Sequence, residues 1–516
     1  MAEHGEVMSR VWRAKRAFWG AYQRALFKAA KPLTVPVPED LPPVRAVPFS
    51  TAYPHTPIDG VVVADHSPKD EYARHVLVVK KAQLRLYRTF SPMHPGLPEI
   101  DADARVALAH AYSEKHEKRY RRPVRPAEYD APDVPGGIDL GGLAVASPYA
   151  CYLRRDDDGA LVWDLTGLAG FEVYPELVPP VARVVFELRP DRRRVEPVRI
   201  ESELGTSVPG DASWVEAVRL AMCAVSTHVS LVRHFNWVHL AVGGPLAIVT
   251  HNELPAAHPV TRLLRPHVYA THFGNRIVTI DQMERSGDFE NMFSFTHDGM
   301  CALFAATARE VDLRWFDPAR DAEMRGVADL PIDTPALDNR TAIMQVIRDH
   351  VARYLAIYYS SDEELQADSA LFRWVYSLAG AVPGGVLELT GRPPTTTGVT
   401  DLLATLIYMG AVEHEVVDTG TFDYQLWNDV QPVRVYRDGR RVPLDVYQRF
   451  VNWNFSLNVD RTLLTTDFSN LALDEQGAAA FRQFRRELLD LQATMDGEAF
   501  APWRMEPKVL KANINY

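Results

Sequence analysis

The chain has 516 residues, 47% of them apolar and 24% charged, and a formal net charge of −11 at neutral pH. That length and apolar content allow a large core, and the acidic balance argues against nucleic acid as a general partner. The three cysteines, Cys151, Cys223 and Cys301, have no paired spacing, which fits a reducing, cytoplasmic setting and excludes a thiolate metal cluster.

Residues 7–31, VMSRVWRAKRAFWGAYQRALFKAAK, read as an amphipathic helix in which Trp12, Phe18, Trp19, Tyr22, Leu26 and Phe27 are interleaved with Arg and Lys. Three readings compete for it: a helix packed on the body, a membrane-surface or substrate-access element, and a transit peptide. Residues 32–57 are proline-dense and read as an extended arm. The stretch RVALAHAYSEKHEKRYRRPVRP reads as a helix that ends in a solvated basic face.

Between 142 and 200 lie the strand candidates. LAVASPYACYLRR and ALVWDLT flank the turn DDDG, and ARVVFELRPDRRRVEPVRIE repeats the pattern around Pro190. From about 212 onward the periodicity is helical. No run of eighteen or more uncharged apolar residues occurs, so no membrane-spanning helix is expected. The fold class expected is mainly α, with small β-hairpin regions in the N-terminal part.

The run WVEAVRLAMCAVSTHVSLVRH predicts a long buried helix that carries His234 and His239 with four residues between them. On a regular α-helix, positions five apart point about 140° away from each other and cannot share a ligand. A local widening to i→i+5 hydrogen bonding would align them. A pair of core histidines satisfied by backbone is the plain alternative, and the spacing alone favours it. A second buried helix, TDLLATLIYMGAVEHEVVDTG, capped by Thr400 or Asp401, carries His414 and Asp418. Four residues apart, their side chains share one face, and a buried carboxylate there needs a strong partner. Three imidazoles with a carboxylate suit iron, manganese or zinc.

After the first helix comes GPLAIVTHNELPAAHPVTRLLRPHVYATHFGN, with Leu254, Pro255, His258, Pro259, Leu263, Leu264, Pro266, His267, Thr271 and Asn275 in order. The run resembles the signature of the lipoxygenase family, and Trp214 stands where that family carries a tryptophan. The resemblance implies a lipoxygenase-like catalytic domain, a large helical bundle around one long core helix. Residues 1–57 would then be an N-terminal helix and arm, and 58–516 the catalytic domain, with a helical metal-binding core from about 205. It implies non-haem iron held by His234, His239, His414, Asp418 and the main-chain carboxylate of Tyr516, which closes KVLKANINY. The implied partners are O2 and a lipid-like small molecule, which loses hydrogen from a doubly allylic carbon and becomes a hydroperoxide. The N-terminal β-barrel with which animal and plant members dock on lipid is not evident. Helix 7–31 would substitute for it through peripheral membrane contact, as accessory helices do in some bacterial members.

Several positions depart from the family pattern. Asp418 stands where asparagine or histidine is usual, which would add negative charge around the ion and favour its oxidised state. Tyr516 replaces the usual isoleucine. In the expected substrate pocket Val278 replaces a small residue and Gln282 a leucine. Ser230 and Thr421 stand at glutamine positions, and Val229, beside His228, at a histidine position. These departures leave two other readings open: an oxygenase of a smaller or more polar substrate in secondary metabolism, and a non-catalytic lipid-binding homologue. His251, His258, His267 and His272 read as hydrogen-bonded core or loop residues.

Overall fold

A computed structural model describes residues 35–66, 68, 124–383, 386–440 and 462–514. The expected helix over 7–31, most of the basic stretch near 120, and Tyr516 lie outside the described residues. Strand β1 (Ala46–Pro48) pairs antiparallel with β2 (Val62–Ala64), so paired strands lie on either side of residue 57. Asn252 fastens this segment to the helical body, with its amide oxygen accepting from Val44 N at 2.7 Å and its amide nitrogen donating to Val44 O at 2.9 Å.

A five-stranded antiparallel meander follows, formed in order by β3 (Arg154–Arg155), β4 (Leu161–Asp164), β5 (Ala182–Arg189), β6 (Arg194–Ser202) and β7 (Gly205–Ser207). The DDDG turn joins β3 to β4, where Asp156 Oδ1 accepts from Asp158 N at 3.1 Å and Ala160 N at 2.8 Å. The register of β5 on β6 shifts between Val185 and Phe186, next to Pro197. Such a shift lets a sheet accommodate a proline that cannot donate to the ladder. Most of LAVASPYACY is helical rather than strand, and this corrects the expectation for residues 143–152. Asp139 caps Leu140–Leu143, and Ser147 caps the 3-10 turn Pro148–Tyr152, whose first residue is proline. These caps favour helical turns over a strand here.

Helix α1 runs over Trp214–Glu253, 40 residues long. Trp214 anchors its start by donating Nε1–H to Pro135 O at 2.9 Å. By length and apolar composition α1 could cross a membrane, which the sequence reading did not expect. However, 83% of its apolar window is buried inside the protein, so packing accounts for the composition. Against it pack α2 (Pro259–Val268), α3 (Thr271–Val278) and α5 (residues 396–425), while α4 (Pro335–Tyr358) lies on α5 and α2, and α6 (Glu475–Asp496) lies on α4. Helix α5 begins four residues before the expected cap, at Thr396, because Thr395 Oγ1 accepts from Gly398 N at 3.0 Å. Gly398 also lets this turn rest on the Thr390 backbone, where a Cβ would come within 2.3 Å of Thr390 O.

Candidate metal centre

Within α1, from His228 to Gly243, the backbone hydrogen bonds widen to i→i+5, and the Gly244 N–H that closes the segment donates to the His239 carbonyl. Five residues then make about one turn, which puts His234 and His239 on one face. The widening covers sixteen residues, well beyond a single bulge. Helix α5 widens likewise on both sides of its histidine, over Met409–Glu413 and Val416–Gly420. As a result three buried imidazoles meet. The Nε2 atoms of His234 and His414 are 3.2 Å apart, those of His239 and His234 3.2 Å, and those of His239 and His414 3.1 Å.

Asn275 decides the tautomer of His239. Its Nδ2 donates to the His239 carbonyl at 2.8 Å, which fixes the amide, so its Oδ1 must face His239 Nδ1 at 2.9 Å and accept a proton from it. His239 Nε2 is left as a bare lone pair aimed at the other two rings. Burial, reinforced by His414, lowers the pKa of His239 to about 3 and that of His234 well below its usual range. His239 thus presents a lone pair to two imidazole nitrogens 3.1 and 3.2 Å away, an arrangement that a cation between the three nitrogens would stabilise. The centre of a triangle with these edges lies about 1.8 Å from each nitrogen, just inside the roughly 2.0–2.1 Å of a metal–imidazole bond. The residues therefore fit a metal ion.

Beside the trio, His414, Glu415 and Asp418 bring their ligand atoms within 4.8 Å of one another. Asp418 faces a buried partner that the sequence reading missed: its Oδ2 accepts from Lys511 Nζ at 2.9 Å. Burial alone would raise the Asp418 pKa, but Lys511, His234 and His414 bring it below the ordinary carboxylate range.

Lys511 arrives on the last described segment, which is buried as far as Ile514. The signature run grips this tail: His267 Nδ1 donates to Ala512 O at 2.6 Å, and Asn513 Nδ2 donates to Pro266 O at 2.9 Å. Ile514 lies between glycines of both histidine helices. A Cβ on Gly243 would come within 2.4 Å of Ile514 Cδ1, and one on Gly410 would lie 3.9 Å from its Cγ2.

One residue before His234 and His414, Arg233 Nε donates to Glu413 Oε1 at 2.6 Å, an ion pair inside the protein that sequence reasoning also missed. The other expected residues take structural places. Val278 and Gln282 are buried, on α3 and the Thr279–Met283 segment after it. Gln425 Nε2 donates to Ser230 Oγ at 3.2 Å, so a glutamine does stand beside α1, supplied from α5. Thr421 donates to Val416 O, and His228 Nδ1 lies 2.7 Å from the Tyr152 hydroxyl. His258 caps α2 and reaches Asp368 Oδ2 at 2.9 Å, while the rings of His251 and His272 are buried with centroids 6.5 Å apart. The tail lysine could have been noticed as a lone cation in VLKANIN, but nothing in the sequence pairs it with Asp418.

A long core helix supplies two of three converging imidazoles and a second helix supplies the third, which makes a buried site able to hold a metal ion inside a mainly helical fold. A family model described as Lipoxygenase matches residues 205–472. The chain belongs to the lipoxygenase family. It is 29% identical over 226 residues to a linoleate 9S-lipoxygenase of Phaseolus vulgaris, a match covering 41% of this chain and 30% of that one. It is 26% identical over 228 residues to a linoleate 9/13-lipoxygenase of Pseudomonas aeruginosa, covering 43% of this chain and 32% of that one. The matches thus span about a third of these relatives' length. Among solved structures, a calcium-dependent 11R-lipoxygenase superposes with a TM-score of 0.70 at 16% identity, over 96% of this chain and 80% of that one. The manganese lipoxygenase of Gaeumannomyces graminis gives 0.62 at 14%, over 69% of this chain and 70% of that one. These likenesses establish the fold as that of a mainly α lipoxygenase catalytic domain.

Proposed function

We propose that this chain is a non-haem iron dioxygenase acting on a polyunsaturated fatty acid or related lipid. The convergence of three buried Nε2 atoms within 3.2 Å of one another carries the reading. In it His234, His239 and His414 hold the ion, Asp418 adds a carboxylate oxygen, and the Tyr516 main-chain carboxylate adds another. The burial of the tail through Ile514, gripped by His267, supports the last assignment.

Iron held by these residues would supply one-electron chemistry, taking one electron as a doubly allylic carbon loses a proton and returning it once O2 has added, so that substrate and O2 together make up the hydroperoxide with no other reductant. The protein does the rest. Asn275 holds the His239 ring with its lone pair inward, and the Arg233–Glu413 pair ties the two histidine helices together. Buried apolar side chains around the trio, Phe235 and Phe422 among them, keep water away from a radical. Val278 and Gln282 line the pocket in this reading and choose which carbon meets oxygen.

One observation favours a second reading, an oxygenase of a smaller or more polar substrate. The Gln282 amide oxygen is buried without a hydrogen-bond partner among the described residues, and a substrate hydroxyl or N–H would satisfy it. Conjugated-diene absorbance after incubation with linoleate or arachidonate supports the first reading. Its absence from iron-loaded protein favours the second. Contact of segment 7–31 with membranes belongs to the same proposal, and equal liposome co-sedimentation with and without that segment would remove it.

A further inference from the structure

The tail brings a buried cation to the imidazole trio. Lys511, with 2% of its side chain exposed, donates to Asp418 Oδ2 at 2.9 Å and lies 3.0 Å from Glu415 Oε1. Both carboxylates are themselves buried, and with His414 their ligand atoms group closely enough to hold a cation of their own. The ammonium already occupies the place such a cation would take. Isolated in the interior, each of these charges would be strongly unfavourable, and together they compensate one another.

The position of Lys511 in the chain adds a constraint. It bridges to Leu463, and the next two residues are the ones gripped by His267 and Pro266. The ammonium therefore reaches Asp418 only when the tail is docked.

We propose that Lys511 is the positioning residue of the metal centre. It holds Asp418 by Oδ2 and Glu415 by Oε1 and fills the second cation pocket, so that Oδ1, the Asp418 oxygen it does not engage, is the one that would turn to the ion. It also offsets the charge that Asp418 brings, so that docking the tail and completing the site are a single event. This rests on the reading of the three imidazoles as a metal site.

The test titrates metal-stripped, full-length protein with Mn2+, following free ion by its paramagnetic resonance, in wild type, K511M, D418N and D418N/K511M. Wild type should bind one ion per chain. K511M should bind about 10–100-fold more weakly, the loss usual when a group orienting a ligand is removed. The double variant should bind no more weakly than D418N, because Lys511 acts through that carboxylate. Wild-type affinity in K511M, or losses that add in the double variant as a merely structural role would give, overturns the proposal. Should K511M fail to fold, a crystal structure of Mn2+-loaded wild type decides instead. Lys511 still on Oδ2 with Oδ1 toward the ion supports the proposal, and Asp418 released from Lys511 overturns it. Wild type that binds no Mn2+ removes the metal-site reading itself, whereas binding that is indifferent to K511M removes only the role of Lys511.

Discussion

Arg233 and Glu413 meet at 2.6 Å inside the protein, each one residue ahead of a histidine of the converging trio. The pair fixes the relative height of α1 and α5 where their imidazoles must face one another. Arg233 also donates to Trp315 O at 3.1 Å, which leaves its guanidinium little freedom.

Removing one member of this pair strands the other charge in the interior. Arg233→Met should destabilise the fold by about 3–5 kcal/mol, and R233M/E413L should recover most of that loss. Chemical denaturation of the three proteins measures both effects. A single variant as stable as wild type would mean the pair contributes nothing.

Asn275 is expected to act on the metal rather than on the fold. Asn275→Ala frees the His239 ring to rotate and to change tautomer, so metal affinity should fall about 10–100-fold. Metal titration beside a thermal unfolding curve separates the two effects. Unchanged affinity would show that packing alone orients the ring.

Gly243 makes room for the tail. A Cβ there would lie 2.4 Å from Ile514 Cδ1 and 2.6 Å from Val238 O, and the second of these is backbone that cannot swing aside. Gly243→Ala should cost about 1–3 kcal/mol and should expose the tail to carboxypeptidase. A tail as resistant as that of wild type would contradict this.

Acid should unfold the protein steeply. Burial lowers His228, His239 and His350 to about 3 and His267 to about 4, whereas an unfolded histidine titrates near 6.5. Below about pH 6.5 the unfolded chain binds protons that the folded one does not. The stability these neutral rings provide is therefore complete above that pH and lost as pH falls toward the folded values. Each ring contributes up to about 1.4 kcal/mol per pH unit across that window. Denaturant midpoints at pH 7.5, 6 and 5 should fall in that order, and a flat series would count against neutral buried rings.

The sequence made some of this legible and hid the rest for physical reasons. The apolar periodicity of α1 and α5, the β5–β6 hairpin around Pro190 and the three histidines were readable because each is a local pattern. The five-residue spacing of His234 and His239 pointed to a widened helix, though not to one sixteen residues long. Partners distant in the chain were not readable. Lys511 with Asp418, Arg233 with Glu413 and His267 with Ala512 join residues 93, 180 and 245 positions apart. The strand expected over 143–152 failed because Ser147 and Pro148 cap a 3-10 turn whose apolar residues fit a strand equally well.

The central claim is that His234, His239 and His414 surround a metal ion. Elemental analysis of protein expressed aerobically with added iron, for wild type, H234A and H414A, tests it most directly. Close to one iron per chain in wild type and almost none in either variant is the expected result. Wild type without metal, or both variants retaining it in full, would contradict the claim.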